Sequence, residues 1–202
     1  MISIVIPTYN NSNQLMTTIS SVLSQNVDDI EIIVIDDAST DDTELSIKKM
    51  NNSKIKYFKQ PQNMGATSSR IAGIKKSSGK YVGFLDDDDV WFNDKLKKQM
   101  NVMTKKNLDF VMCNYIINDM VDNVKYEKSL KDFSTDFKKY IVRNPGPFFQ
   151  CCLFNRGFIL RNIEKFDYVA EPSEDWDFFI SISMRNPKVD NINECMFKWN
   201  LS

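Results

Sequence analysis

Four consecutive carboxylates, Asp86-Asp87-Asp88-Asp89, stand directly behind the apolar, strand-like run Tyr81-Val82-Gly83-Phe84-Leu85. Adjacent carboxylates repel one another, and a hard cation such as Mn2+ or Mg2+, which takes oxygen ligands, relieves that repulsion. In open α/β sheets ligands bind just beyond the carboxyl ends of the strands, so acids placed there face the expected site. The plainer use of the same residues is a solvated turn that caps a helix starting near Asn93 or Asp94. Two further polar turns follow apolar runs: Pro7-Thr8-Tyr9-Asn10-Asn11 after residues 2–6, and Asp36-Asp37-Ala38-Ser39-Thr40-Asp41 after residues 32–35. If those strands lie side by side, the three turns converge on one sheet edge. A nucleoside diphosphate suits that inventory: an Asp accepts from a base N–H, Arg70 reaches a phosphate, and a carboxylate-held cation bridges the diphosphate.

What the chain lacks is as informative. It has no histidine, which excludes Ser-His-Asp and Cys-His chemistry and leaves Asp, Glu, Lys, Tyr or a metal for proton transfer. Its four cysteines have no C-x-x-C spacing and read as reduced, partly buried thiols. Neither G-x-G-x-x-G nor G-x-x-x-x-G-K-[ST] occurs, so the phosphates must be held by metal and Arg. The net charge of -1 gives no electrostatic argument for nucleic acid. No apolar run approaches a membrane span, and Met1 leads straight into Ile2-Ser3-Ile4-Val5-Ile6 without signal-peptide layout, so a cytoplasmic location is expected.

The elements that must position these groups are legible in outline. The 202 residues, 42% hydrophobic and 26% charged, suit one soluble domain. Strands are expected over residues 2–6, 32–35, 54–58, 80–85 and 108–114. Helices are expected at Leu15, Ile19, Val22 and Leu23, at Leu45 and Ile47 capped by Ser39 or Thr40, over 66–76 holding Arg70, and at Leu96, Met100 and Met103. This four-fold strand-helix alternation is the pattern of an α/β fold with a mostly parallel central sheet flanked by helices. The pattern then weakens: an irregular hairpin over 115–126, a short helix over 133–142, a loop over 143–147, a strand over 151–154 and a short helix over 157–163. Glu171-Pro172-Ser173-Glu174-Asp175-Trp176-Asp177 opens a last helix with Trp176, Phe179, Ile180 and Met184 inward. On local grounds Glu174 and Asp175 are a favourable helix-start pair, and Trp176 is core or pocket wall.

Taken in order, Ile4-Val5-Ile6-Pro7-Thr8-Tyr9-Asn10, Val34-Ile35-Asp36-Asp37-Ala38-Ser39-Thr40-Asp41, Asn63-Met64-Gly65 with Arg70, Phe84-Leu85-Asp86-Asp87-Asp88-Asp89 and Glu174-Asp175-Trp176 resemble the signature of family-2 inverting glycosyltransferases. The resemblance covers nearly the whole chain and implies a GT-A fold, a single Rossmann-like domain. Residues 1–114 would then form the donor half and 115–202 the acceptor and catalytic-base half. It implies that Pro7, Thr8 and Tyr9 line the nucleobase pocket, that Asp37 bonds the base and that Arg70 contacts the nucleotide. In D-x-D, Asp86 would touch the ribose, or the metal through water, and Asp88 would bind Mn2+ or Mg2+, with Asp87 and Asp89 supporting. Asp175 matches the general base, with Glu174 and Trp176 on the acceptor side. The implied partners are a nucleoside-diphosphate sugar, UDP-linked, and a glycan or lipid-linked glycan acceptor of a bacterial surface polymer, with peripheral membrane contact and no nucleic acid.

The chain departs from the family in two places. It has no Q-x-x-R-W motif, which favours transfer of a single sugar, and it stops at Trp199-Asn200-Leu201-Ser202, where the resemblance implies a further donor-closing loop. A compact member or a shortened chain would both produce that ending. The alternatives are a non-catalytic nucleotide-sugar-binding subunit and, against the missing glycine-rich basic loop, a nucleotidyltransferase.

Overall fold

The computed structural model describes residues 1–119, 124–144, 147–166 and 173–201. Its first half is built on β1 (Ile2–Thr8), β2 (Ile30–Asp36), β3 (Ile55–Lys59) and β4 (Tyr81–Phe84), which pair in parallel in the order β3-β2-β1-β4. Every residue of β1, β2 and β4 is buried, the burial that β-branched runs of this kind satisfy inside a covered sheet. Pro7, expected to stop the first strand, instead continues it. Val5 O accepts from Leu85 N on the β4 side and Thr8 O accepts from Asp37 N on the β2 side. Pro7 shares the orientation of Val5, so its missing N–H faces the place where β4 has already ended.

The connecting helices are α1 (Ser12–Leu23), α2 (Thr43–Met50), α3 (Gly65–Lys76) and α4 (Lys95–Lys106). The α3 helix lies so close to β1 that a Cβ added at Gly73 would stand 2.2 Å from Val5 Cγ1. The start of α2 corrects the expected cap: Ser39 and Thr40 precede the helix, and Asp41 takes the Thr43 N–H instead, at 3.1 Å. With the helix starting there, Thr43 and Ile47 share the inward face and Leu45 turns outward, 55% exposed.

The sheet continues into the second half through β8 (Leu153–Asn155), antiparallel to β4, and then β6 (Phe110–Asp119), β9 (Val189–Leu201) and the two-residue β5 (Val90–Trp91), with β7 (Val124–Lys128) on β6. β9 has no counterpart among the expected strands. It runs parallel to β6 with register shifts around Asn114, and it pairs with β5 just after the acid cluster. The hairpin expected over 115–126 falls on β6 and β7, residues 120–123 between them lying outside the described residues. The helix expected over 133–142 is two, α5 (Lys131–Thr135) and α6 (Phe137–Ile141), because Asp136 breaks it and its carboxylate accepts from Lys139 N at 3.0 Å. The strand expected over 151–154 starts two residues later, after a 3-10 turn at Phe149–Cys151.

α7 (Arg156–Leu160) is followed by α8 (Glu174–Ser183). Glu171 and Pro172, expected to open α8, lie outside the described residues, as do Pro145 and Gly146 of the expected loop. Phe178, Phe179 and Ile182 supply the buried face of α8, while Met184, past its last turn, is 62% exposed rather than inward. Phe149 binds the halves together, with ring centroids 5.3 Å from Phe84, 5.3 Å from Phe166 and 5.1 Å from Phe178. Among the described residues no helix is long and apolar enough to cross a membrane.

Candidate functional site

β1, β2 and β4 are parallel, so the turns after Thr8, Asp36 and Phe84 emerge on one edge, as the spacing of the polar turns implied. The first two are laced together. Asn10 N donates to Ser39 Oγ at 2.9 Å, Thr40 N to Asn10 Oδ1 at 2.7 Å and Ser12 N to Asp41 Oδ2 at 3.0 Å. Ala38 holds a φ of 68°, which for a residue with a Cβ costs on the order of 1 kcal/mol; the lacing and Asp36, which accepts from Ser39 N at 2.7 Å, hold it there.

These turns and α3 enclose a cleft of about 370 Å³, the size of a small-ligand site. Of the residues singled out in the sequence, Pro7, Thr8, Tyr9, Asp37, Arg70, Asp86, Asp87, Asp88 and Glu174 all line it. Asp175 and Trp176 do not. Ala66 and Ser69 of α3 join the wall, and Ser69 could have been suspected only from its place beside Arg70.

The acids of the cluster differ sharply in surroundings. Asp86 accepts from Arg70 Nη2 at 2.8 Å on Oδ1 and from Gln150 Nε2 on Oδ2. Asp87 accepts from Thr8 Oγ1 at 2.5 Å and Asn11 Nδ2 at 3.0 Å, so it pins the first turn to the third. Burial raises its pKa against those donors. Asp88 receives no side-chain donor among the described residues, and burial, with the Asp86 and Asp87 carboxylates adding to it, pushes its pKa up to about 6. Asp89 is fully buried, accepts from Asn200 N at 3.1 Å, and is pushed up to about 9 by burial and then by Asp86 and Asp88, so it keeps its proton at neutral pH. Asn200 Nδ2 also donates to Asp88 O at 2.8 Å, which fastens β9 to the cluster.

Asp88, with Asp86 beside it, is therefore the chemistry a divalent cation fits: a carboxylate that no described side chain donates to, made unfavourable by burial and by like charges. Among the described residues no three metal-binding side chains converge, so water and ligand oxygens would complete the shell.

Arg70 is 4% exposed and spans the cleft floor, donating to Asp86 and, through Nη1 at 3.1 Å, to Glu174 Oε1. Burial disfavours its charge, but Asp86, Asp175 and Glu174 together raise its pKa. Asp37 accepts from Gln60 Nε2 at 2.6 Å, Met64 N at 2.8 Å and Gly65 N at 2.8 Å, which fixes the turn at the head of α3. Gly65 sits there at a φ of 85°. Asp175 accepts from Phe149 N at 2.8 Å, and burial, opposed by Arg70 and reinforced by Asp86, sets its pKa at about 7. Trp176 donates from Nε1 to Ile141 O at 2.6 Å, joining α8 to α6. The segment from Tyr115 to Gln150, Phe149 included, is expected from the sequence to shape the acceptor side, but nothing in the sequence marks Phe149, Gln150 or Asn200 as partners of the acids, because an aromatic and two neutral amides carry no linear signal of such a role.

The sequence pattern of the family described as "Glycosyl transferase family 2" matches residues 3–163. The chain is 38% identical over 120 residues, 59% of its length and 47% of the relative's, to "UDP-Glc:alpha-D-GlcNAc-diphosphoundecaprenol beta-1,3-glucosyltransferase WfgD" of Escherichia coli. In fold it is similar to S. aureus TarS 1-349 in complex with UDP, at a TM-score of 0.82 and 20% identity over 100% of this chain and 60% of that one. It is also similar in fold to the mannosyltransferase PcManGT from Pyrobaculum calidifontis in complex with GDP-Man and Mn2+, at 0.75 and 17% over 98% and 56%. The chain spans about a quarter to a half of the length of the first curated relatives it matches. With its mixed α/β sheet arranged as in these GT-A glycosyltransferases and the family pattern running from β1 to α7, the chain belongs to glycosyl transferase family 2.

Proposed function

We propose that this chain carries the donor site and the catalytic base of an inverting glycosyltransferase. It moves one sugar from a UDP-linked donor to an acceptor hydroxyl in surface glycan synthesis. Residues 1–114 hold the donor and 115–202 the acceptor and base. The observation that carries this reading is the cleft in which Asp88, given no side-chain donor by the described residues, stands beside the Arg70–Asp86–Glu174 bridge, with Asp175, outside the cleft lining but next to Glu174, at a pKa of about 7.

Pro7, Thr8 and Tyr9 receive the base, and Asp37, fixed by three donors of which two share Oδ1, keeps a lone pair on Oδ2 for a base N–H. Arg70, already charged and buried, meets the diphosphate with no cost of ordering at the moment of reaction. Asp88 would hold the divalent cation, Mn2+ or Mg2+, and Asp86 would reach it or the ribose through water. When bound, that cation offsets the charge growing on the departing diphosphate. On the acceptor side, Asp175 takes the hydroxyl proton as the oxygen attacks, and a pKa near the working pH makes it a stronger base than an ordinary Asp. Attack from the face opposite the leaving diphosphate inverts the anomeric carbon. Glu174 keeps Arg70 in place between the two sides, and Trp176 walls the acceptor end.

The relative named for a diphosphoundecaprenol-linked acceptor supports a lipid-linked glycan as acceptor, and with it a cytoplasmic protein in peripheral contact with the membrane. Thermal stabilisation across a panel of nucleoside diphosphates and their sugars, with and without Mn2+, tests the reading. UDP compounds should raise the melting temperature more with Mn2+ than without; no stabilisation by any nucleotide overturns it.

A further inference from the structure

The 3-10 turn at Phe149–Cys151 touches the site three times. Gln150 Nε2 donates to Asp86 Oδ2, Phe149 N donates to Asp175 Oδ2 at 2.8 Å, and the Phe149 ring lies 5.3 Å from the Arg70 guanidinium carbon. From behind, the turn is gripped by buried polar groups. Trp91 Nε1 donates to Gln150 O at 3.2 Å, and Gln99 Nε2 donates to Cys151 O at 2.9 Å. Gln99 in turn accepts from Lys95 Nζ at 2.8 Å, and that ammonium sits 4.0 Å from the Trp91 ring centre. Trp91, Lys95, Gln99 and Gln150 are each 4% exposed or less. Burying a lysine and two amides costs desolvation that apolar packing would avoid, and Gln150 Oε1 has no partner among the described residues; the bonds that are made specify one position for the backbone they hold.

We infer that Gln150 is a positioning residue: by holding Asp86 it makes the Asp86/Asp88 pair present a single geometry to the divalent cation of a bound nucleoside diphosphate. The inference rests on the donor-site reading above. Arg70 and Gln150 bond different oxygens of Asp86, so its carboxylate is fixed at both ends. Each oxygen keeps lone-pair capacity for water on the cation. With Gln150 gone, the Arg70 bond becomes a pivot, and repulsion from Asp87 and Asp88 turns the carboxylate away from them. Restoring it on cation binding then costs the side-chain entropy that Gln150 had already removed.

The test is calorimetric UDP binding, with and without Mn2+, to the wild-type chain and to Gln150→Met, which keeps the bulk and donates nothing. Gln150→Met should bind UDP alone as the wild type does, while the gain in UDP affinity brought by Mn2+ falls about ten-fold, the scale of loss when a partner behind a metal ligand is removed. An equal Mn2+ gain in both proteins overturns the inference. Weaker UDP binding by the same factor with and without Mn2+ also overturns it, because that marks general damage to the cleft. A wild-type chain that shows no Mn2+-dependent UDP binding overturns the donor-site reading itself. If Gln150→Met does not fold, Gln150→Asn, which withdraws the amide by one methylene, is read by the same outcomes.

Discussion

The Phe149 N–H donates to Asp175 Oδ2 at 2.8 Å, so the acid proposed as base is aimed by backbone, while the described residues give its other oxygen no donor. Burial raises the Asp175 pKa to about 7, with Arg70 opposing and Asp86 reinforcing. The base form is the deprotonated one, so turnover should rise about ten-fold per pH unit below that value and level off above it. Initial rates of UDP release across that range measure this, and a rate that stays level from well below the pKa contradicts the assignment.

Arg70 is the positive charge between Asp86 and Glu174. Arg70→Met should destabilise the chain by about 2–3 kcal/mol, the cost of stranding partly buried carboxylates, discounted because Asp86 is partly solvated. Arg70→Lys should recover little of it, since one ammonium cannot serve two carboxylates from a planar fork. Urea unfolding reads both variants, and full recovery by lysine would show that charge alone matters there.

Asp88 is disfavoured as an anion by burial and by its neighbours and is bonded by no side chain among the described residues, so its removal should separate binding from stability. Asp88→Asn should leave the melting temperature unchanged or higher, because a buried repulsion is relieved. The same variant should lose the Mn2+-dependent part of UDP binding. A lower melting temperature with Mn2+ dependence intact would assign Asp88 to structure.

Away from the cleft, Glu31 accepts from Ser3 Oγ at 2.5 Å, Lys56 Nζ at 2.6 Å, and Ser78 N and Oγ at 2.7 and 2.8 Å. Burial alone would raise its pKa, but Lys56 and the serines carry it down to about 2. A depressed folded-state pKa contributes stability that is present above the unfolded value near 4.5 and lost as pH falls through about 2. Glu31→Gln should therefore cost on the order of 2 kcal/mol at neutral pH, discounted for the half-exposed Lys56, and little near pH 2. Denaturation curves at the two pH values check this; an equal loss at both would mean the charge is not what matters.

The cleft side was legible because β1, β2 and β4 are unbroken apolar runs whose ends carry the acids, and a parallel sheet puts such ends on one edge. The second half of the sheet was not. β9 reads Val189-Asp190-Asn191-Ile192-Asn193-Glu194-Cys195 at its start, and the register shifts against β6 erase the alternation that marks a strand. Asp86 and Asp89 look alike in sequence, yet Gln150, 64 residues away, gives Asp86 a second bond, while burial keeps a proton on Asp89 against the N–H that Asn200 brings from 111 residues away. Trp176 was equally ambiguous, because its bond to Ile141 O depends on where α6 ends.

The central claim is that Asp175 performs proton transfer beside a cleft that binds its donor independently of it. Asp175→Asn, assayed for UDP release from UDP-sugars in the presence of Mn2+ and for UDP binding by calorimetry, tests it most directly. The account predicts UDP affinity within about two-fold of wild type and turnover lower by about 10²–10⁴-fold, the usual worth of a general base. Turnover at the wild-type rate, with binding unchanged, would contradict it.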